Sequence, residues 1–302
     1  VTEVDSVELT NTPVLILGYG EMGHAMEHLL APRRPVAIWQ RRGNTDLDVE
    51  VARATVILFC LPTKPHEELA RQIGPRLSAD CVVLTIAKGL DDRGRTPPEI
   101  LRANLPWPEQ IGVIYGPMIA EEMGAGRPGF GQLGGTPAVR EIVRSLYEGS
   151  ALHLEDTDDW RGPAWGAVLK NIYAQAFGMA DGLGLGDNVR GYLAVAAMNE
   201  MRALLAELGA DPDTASRLAG LGDLITTATS AGSHHHQLGI DIARGQRDAL
   251  TGEGIHTLAV LRAHPRFNPE QYPLYRLVDE SARDGGDIRE RFLALFRVAG
   301  QP

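Results

Sequence analysis

The sequence predicts two domains: an α/β domain over residues 13–157, built on a mostly parallel sheet with flanking helices, and an all-helical domain over 158–302. Three observations lead there. A chain of 302 residues exceeds the usual size of one domain and can bury a core in each of two. From Val14 to about Leu154, short β-type runs alternate with amphipathic or polar stretches, the pattern of a parallel sheet covered by helices. Beyond Asp156 the β-branched runs give way to Ala, Leu, Met, Arg and Glu at helical spacing.

The strands are predicted at Val14–Leu17, Val36–Trp39, Val56–Leu61, Val82–Thr85, Gly112–Tyr115, Phe130–Leu133 and Ala151–Leu154. Prolines such as Pro32, Pro62, Pro75 and Pro106 fall between them, where a missing N–H costs no ladder bond. In the second domain the clearest helix is Val189–Leu208, with Leu193, Ala196, Ala197, Met201, Leu204, Leu205 and Leu208 on one broad stripe and Gly209 at the stop. A second helix, Ala164–Met179, is apolar or small except around Lys170 and Asn171. Residues 1–12 are acidic and polar, lack the apolar core of a secretory signal, and are expected to form a disordered tail.

Charge and composition narrow the function. A net charge of −10 and an isoelectric point near 5.4 oppose a nucleic-acid footprint, which needs Lys and Arg gathered on one face. The longest apolar run, Val56–Leu61, is too short to span a bilayer. The two cysteines, Cys60 and Cys81, have neither metal-knuckle nor redox-pair spacing and read as reduced core thiols of a cytoplasmic protein.

Between the first strand and the next helix stands Gly18-Tyr19-Gly20-Glu21-Met22-Gly23, a G-x-G-x-x-G in the context of a Rossmann dinucleotide turn. Gly18 permits the turn, Gly20 lets backbone approach a pyrophosphate, and Gly23 allows close packing of helix on sheet. Glu21 and Met22 open the helix whose N–H groups receive the anion. An acidic residue at the end of the second strand would hold the ribose 2′-hydroxyl of NADH. Here that place reads Trp39-Gln40-Arg41-Arg42, and two guanidiniums suit a 2′-phosphate. NADPH is therefore preferred, with NADH possible; the alternative is that Arg41 and Arg42 are only solvated.

Four further stretches are rich in groups that can meet a small anionic carbonyl compound: Ala87-Lys88-Gly89, Gly116-Pro117-Met118 running to Ala120-Glu121-Glu122, Leu169-Lys170-Asn171, and Gly220-Leu221-Gly222-Asp223 running to Thr227. Spacing alone does not establish that they converge.

With these motifs and Asp181-Gly182-Leu183-Gly184-Leu185-Gly186-Asp187-Asn188, the chain resembles the NAD(P)-dependent glycerol-3-phosphate dehydrogenases from Val14 to the C-terminal helices. The resemblance implies a Rossmann domain followed by a helical domain of the glycerol-3-phosphate and 6-phosphogluconate dehydrogenase type. It also implies reversible reduction of dihydroxyacetone phosphate to glycerol 3-phosphate, feeding phospholipid synthesis in the cytoplasm. Lys170 would be the acid–base group for the oxygen that becomes an alkoxide as hydride arrives. Lys88 would be a second cation for that oxygen and the phosphate, each ammonium disfavouring the other's charged form. Asn171, Asp223 and Thr227 would orient the lysines and the substrate hydroxyl. Gly116 and Met118 would face the substrate, and Ala120 and Glu253 the cofactor. Bland alternatives stand beside these: a solvated lysine, or Asp223 as a helix cap.

The chain departs from the family where Ser-Arg-Asn-Arg usually holds the substrate phosphate and approaches the cofactor; it has Ser233-His234-His235-His236. It also carries Met118 where bacterial members usually have Ser. Ser233 is a good N-cap, so the histidines are expected to open a helix whose N–H groups, with His234 or His235, receive the phosphate. Adjacent helical residues point about 100° apart, which argues against a shared metal ion. Two other functions stay open: a related dehydrogenase of a different small keto or hydroxy compound, and a non-catalytic NADPH-binding regulator, against which the two lysines speak. The oligomeric state is open, a homodimer being one option.

Overall fold

The computed structural model describes residues 13–246 and 250–299; the expected tail at 1–12 lies outside them. Seven strands form one sheet: β1 (Val14–Leu17), β2 (Val36–Trp39), β3 (Val56–Phe59), β4 (Val82–Thr85), β5 (Ile111–Tyr115), β6 (Gly129–Gly134) and β7 (Leu152–Thr157). Their spatial order is β2-β1-β3-β4-β5-β6-β7, and every pair is parallel except β5–β6. Between them run α1 (Glu21–Leu30), α2 (Leu47–Arg53), α3 (His66–Ile73), α4 (Pro97–Asn104), α5 (Ala120–Gly124) and α6 (Pro137–Tyr147).

The central strands β1, β3 and β4 are short and almost wholly apolar because both their faces are covered. Alternate residues serve opposite cores. Val14, Ile16, Val56, Leu58, Val82 and Leu84 pack with Met26 and Leu29 of α1 and Val139 and Val143 of α6. Leu15, Leu17, Ile57, Phe59 and Val83 pack with Val51 of α2, Leu69 and Ile73 of α3 and Leu101 of α4. At roughly 25 cal/mol per Å² of apolar surface, each fully buried Leu or Ile contributes about 2 kcal/mol before conformational entropy is subtracted.

The second part is helical throughout among the described residues: α7 (Arg161–Gly182), α8 (Asp187–Glu207), α9 (Asp223–Thr229), α10 (His234–Ala243), α11 (Glu253–Ala263), α12 (Pro273–Asp284) and α13 (Ile288–Ala299). Helix α7 starts three residues before the predicted Ala164, because Asp159 accepts the N–H groups of Arg161 and Gly162 at 2.8 and 2.9 Å. Residues 162–180 are buried without interruption, so α7 is a core helix with no solvent stripe. The carboxylate of Glu200 on α8 accepts the N–H groups of Leu274 and Tyr275 and the Tyr173 hydroxyl, tying α7, α8 and the start of α12 together. The chain divides into two compact units whose main border falls between Ala164 and Trp165, inside α7; the short turn 92–94 groups with the second unit. None of the described helices is long and apolar enough to cross a membrane.

Candidate functional site

In the first unit, chemistry gathers at the carboxyl ends of the parallel strands. Gly18 follows β1 with φ of +98°, and a Cβ there would lie 2.5 Å from Leu61 Cδ2 and 2.7 Å from the Cys60 carbonyl. A Cβ on Gly23 would lie 2.3 Å from the Gly18 carbonyl oxygen, so helix and turn are in backbone contact. Gly20 differs: nothing lies within 4 Å of its Cβ position, and as N-cap of α1 it provides no side-chain hydrogen bond. Two glycines are therefore needed for packing, while the third leaves open space beside uncapped N–H groups. That arrangement fits a dinucleotide pyrophosphate.

Arg41 and Arg42 occupy the turn after β2, and β2 pairs with β1 so that Trp39 is level with Leu17. Both arginines are exposed, and Arg41 pairs with Glu68 at 2.7 Å. Glu21 is exposed and Met22 half-buried on the first turn of α1. Lys88 follows β4, half-buried, with Gly89 next at φ of +95°. Gly116 follows β5, where a Cβ would meet the Phe130 carbonyl oxygen at 2.5 Å. Ala120 begins α5 and is half-buried.

Met118 is 7% exposed and packs within the core of the first unit, its sulfur 3.4 Å from where a Cβ of Gly131 would lie. The thiols of Cys60 and Cys81 are free, and burial pushes that of Cys81 up to about 12, far from reactive range.

In the second unit, Lys170 is 5% exposed. Its Nζ donates to Asp223 Oδ1 at 3.1 Å and to Thr227 Oγ1 at 2.6 Å, both acceptors being buried. Local backbone explains the meeting. Asp223 and Thr227 are one turn apart on α9 and share a face. Immediately before α9, residues Leu218–Gly222 form a π-helical turn. A Cβ on Gly220 would lie 2.4 Å from the carbonyl oxygens of Thr214 and Ala215, and one on Gly166 would lie 2.7 Å from that of Ala219. Gly166 is one turn before Lys170, so the bare backbone of α7 lets the π turn settle against it and brings Asp223 within reach. The aspartate is the first residue of α9, but its carboxylate goes to Lys170.

Asn171 is 4% exposed, and its Oδ1 has no hydrogen-bond partner. Gln175, one turn on and fully buried, donates to the Asn171 carbonyl at 3.3 Å while its Oε1 also lacks a partner. The histidines follow from a glycine crossing: a Cβ on Gly178 would lie 1.9 Å from the His236 carbonyl oxygen, and one on Gly239 would lie 2.1 Å from that of Gln175. Helices α7 and α10 thus touch backbone to backbone.

Ser233 caps α10, accepting the His236 N–H at 3.3 Å. The three rings go to three places. His234 is exposed, and His236 Nε2 meets Asp181 Oδ2 at 2.7 Å. His235 Nδ1 lies 3.0 Å from where a Cβ of Gly254 would be, beside Gln175 Nε2 at 2.9 Å. Glu253 is the exposed first residue of α11, after Gly252 at φ of +97°. Sequence reasoning missed Gln175, Gly166 and Gly178 on α7, although Gly166 to Lys170 and Gly178 to Gly182 show the four-residue spacing of one helix face.

Models described as the NAD-dependent glycerol-3-phosphate dehydrogenase N-terminus and C-terminus match residues 42–130 and 159–290. The chain is 35% identical over 215 residues to the glycerol-3-phosphate dehydrogenase (NAD(P)+) of Agrobacterium fabrum, covering 70% of this chain and 65% of that protein. It is 33% identical over 264 residues to the enzyme of the same name from Acaryochloris marina, covering 84% and 85%. The crystal structure of the glycerol-3-phosphate dehydrogenase from Coxiella burnetii shares the fold, with a TM-score of 0.81, 24% identity, and coverage of 95% of this chain and 99% of that one. Extended sequence identity, on a fold whose glycine turn and buried lysine are in place, makes this chain a member of the NAD-dependent glycerol-3-phosphate dehydrogenase family.

Proposed function

We propose that this chain reduces the C2 carbonyl of dihydroxyacetone phosphate to sn-glycerol 3-phosphate, reversibly, with NADPH preferred over NADH. The observation that carries the reading is the buried Lys170, held by Asp223 and Thr227 in an otherwise apolar helix. A lysine retained there without a chemical task would carry a desolvation cost that a leucine avoids.

Gly18, Gly20 and Gly23 with the first turn of α1 would hold the pyrophosphate, and Arg41 and Arg42 would read the 2′-phosphate. A dihydronicotinamide held there would supply the hydride. As the carbonyl oxygen of the substrate gains negative charge, Lys170 Nζ–H donates to it and then transfers the proton. Asp223 keeps its charge throughout, and Thr227 Oγ1 fixes the direction of the amine. Asn171 Oδ1, buried without a protein partner, accepts from a substrate hydroxyl. Lys88 supplies a cation to the phosphorylated substrate, and Ser233, His234 and His235 provide N–H and imidazole donors at the start of α10. Free thiols and a soluble pattern of charge agree with the cytoplasm.

A second reading, a dehydrogenase of another small keto compound, is favoured by the Ser233–His236 run alone. NADPH oxidation, followed with dihydroxyacetone phosphate, dihydroxyacetone and short 2-keto acids, separates the two. The expected kcat/KM for the phosphorylated substrate exceeds that for dihydroxyacetone by about 10³-fold, since charged donors left unpaired penalise the analogue heavily. Efficient turnover of an unphosphorylated keto acid, with none of dihydroxyacetone phosphate, would move the assignment to the second reading.

A further inference from the structure

Four buried side chains in the first unit converge on the backbone of residues 87 and 88. His66, Thr85 and Tyr115 are 0% exposed and Thr63 is 6% exposed. His66 Nδ1 lies 3.0 Å from the Pro62 carbonyl oxygen and Nε2 lies 3.2 Å from Thr85 Oγ1. A carbonyl oxygen only accepts, so Nδ1 carries the proton, and in a neutral ring Nε2 is then an acceptor for the Thr85 hydroxyl. Thr85 Oγ1, having donated to the imidazole, accepts the Ala87 N–H at 3.2 Å. Thr63 Oγ1 donates to the Lys88 carbonyl at 2.8 Å. Since Thr63 is bonded to Pro62, the path closes on itself: Ala87 N–H to Thr85, Thr85 to His66, His66 to Pro62, and Thr63 back to Lys88. From the neighbouring strand, the Tyr115 hydroxyl donates to the Ala87 carbonyl at 2.7 Å.

The direction of the Thr85–His66 bond depends on a neutral imidazole. A second proton on Nε2 would make it a donor, and the Thr85 hydroxyl could no longer donate to the ring. Burial favours the neutral ring, holding His66 down to about 4 from its ordinary 6.5. Phe59 packs against the imidazole with ring centroids 4.9 Å apart, closing one side to water.

We propose that Thr85, His66 and Tyr115 are positioning residues for Lys88: their hydrogen-bond ring fixes the Ala87–Lys88 backbone, so that the ammonium is presented from one place at the carboxyl end of the sheet. The proposal rests on the reading of Lys88 as a cation for the phosphorylated substrate. Strand ends fray where their last N–H and C=O groups lack ladder partners. Here the segment leaving β4 has the N–H and C=O of Ala87 and the C=O of Lys88 bound by side chains, and only then does Gly89 turn the chain at positive φ. An ammonium on a flexible four-carbon stem gains most from a fixed root, because side-chain freedom is the cost left to overcome on binding.

The test is a double-mutant cycle on the full chain, with Thr85→Val and Tyr115→Phe each made in the parent and in a Lys88→Ala background. Steady-state reduction of dihydroxyacetone phosphate is paired with amide exchange of the 86–90 segment in the protein without cofactor. Lys88→Ala alone is expected to lower kcat/KM by about 10²-fold. Thr85→Val should lower it by about tenfold, chiefly through KM, and speed exchange at 86–90, while Thr85→Ser recovers most of both. In the Lys88→Ala background the Thr85→Val effect should shrink to less than about twofold, because the group through which it acts is gone. Equal losses in both backgrounds overturn the positioning role, as does an unchanged kcat/KM. If Thr85→Val does not fold, Tyr115→Phe, which removes one hydroxyl and keeps the ring, decides by the same criteria. Full activity in Lys88→Ala defeats the reading of Lys88 itself and the proposal with it, a result distinct from a ring that fails to act through an essential lysine.

Discussion

The surroundings of Lys88 and of Lys170 both bury polar side chains, and they use them in opposite ways. Around Lys88, the polar atoms of Thr63, His66, Thr85 and Tyr115 bond to backbone or to one another, and the lysine itself is half-buried. In the second region the lysine is the buried group, while Asn171 Oδ1 next to it in the chain and Gln175 Oε1 one turn further along α7 have no hydrogen-bond partner. A satisfied buried network rigidifies what it holds, whereas an unsatisfied one marks where a partner is expected. In the first region the side chains bond to backbone; in the second, the proposed function gives the unpaired Asn171 oxygen to a substrate hydroxyl.

The largest test of that contrast is removal of the buried amine. Lys170→Ala is expected to lower kcat by about 10²–10⁴-fold while NADPH affinity, read by fluorescence titration, stays within about twofold. Turnover near the parent level would remove the second region from the chemistry.

Acid should find the first region instead. His66 binds its proton near 4 in the folded chain and near 6.5 when unfolded, so between those values the unfolded chain holds more protons and folding weakens as pH falls. The loss from this group sums to about 3 kcal/mol between pH 6.5 and 4, at 1.36 kcal/mol per unit of pKa, and is absent above neutrality. Urea unfolding across that range in the parent and in His66→Gln measures it, and a slope as steep in the variant would assign the acid sensitivity elsewhere.

Cofactor choice is a smaller effect. Arg41→Ala with Arg42→Ala should weaken NADPH by about tenfold or somewhat more and leave NADH nearly unchanged, the gain being limited by exposure and by competition from Glu68. Parallel losses for both cofactors would show that these guanidiniums do not read the 2′-phosphate.

The smallest effect sharpens the comparison from the other side. Gln175→Met removes a buried amide whose oxygen is unpaired, so stability should shift by less than about 1 kcal/mol in either direction, while Thr85→Val, breaking a satisfied chain, should cost about 1–3 kcal/mol. Denaturation midpoints decide it, and equal costs would erase the distinction between the two regions.

Periodicity alone determined the α/β-then-α order, since strands covered on both faces must be continuously apolar and helices must repeat near 3.6 residues. It placed β1, β2 and β4 to the residue; β3 ends two residues earlier than predicted, and β7 runs on to Thr157. The glycine turn was legible because its requirement is local: positive φ at Gly18 and no Cβ at Gly23 depend on a few neighbouring residues. Ser233 as a cap was legible for the same reason. Tertiary structure alone decided the rest. Met118 faces the core because β6 runs antiparallel beside β5 and lays Gly131 under its sulfur. Lys170 meets Asp223 across 53 positions of sequence because Gly166 admits a π turn, and His66 reaches Thr85 across 19 because α3 packs over the ends of β3 and β4. Such meetings depend on where backbones can approach, and a sequence states residue types without stating which distant backbone will lie against them.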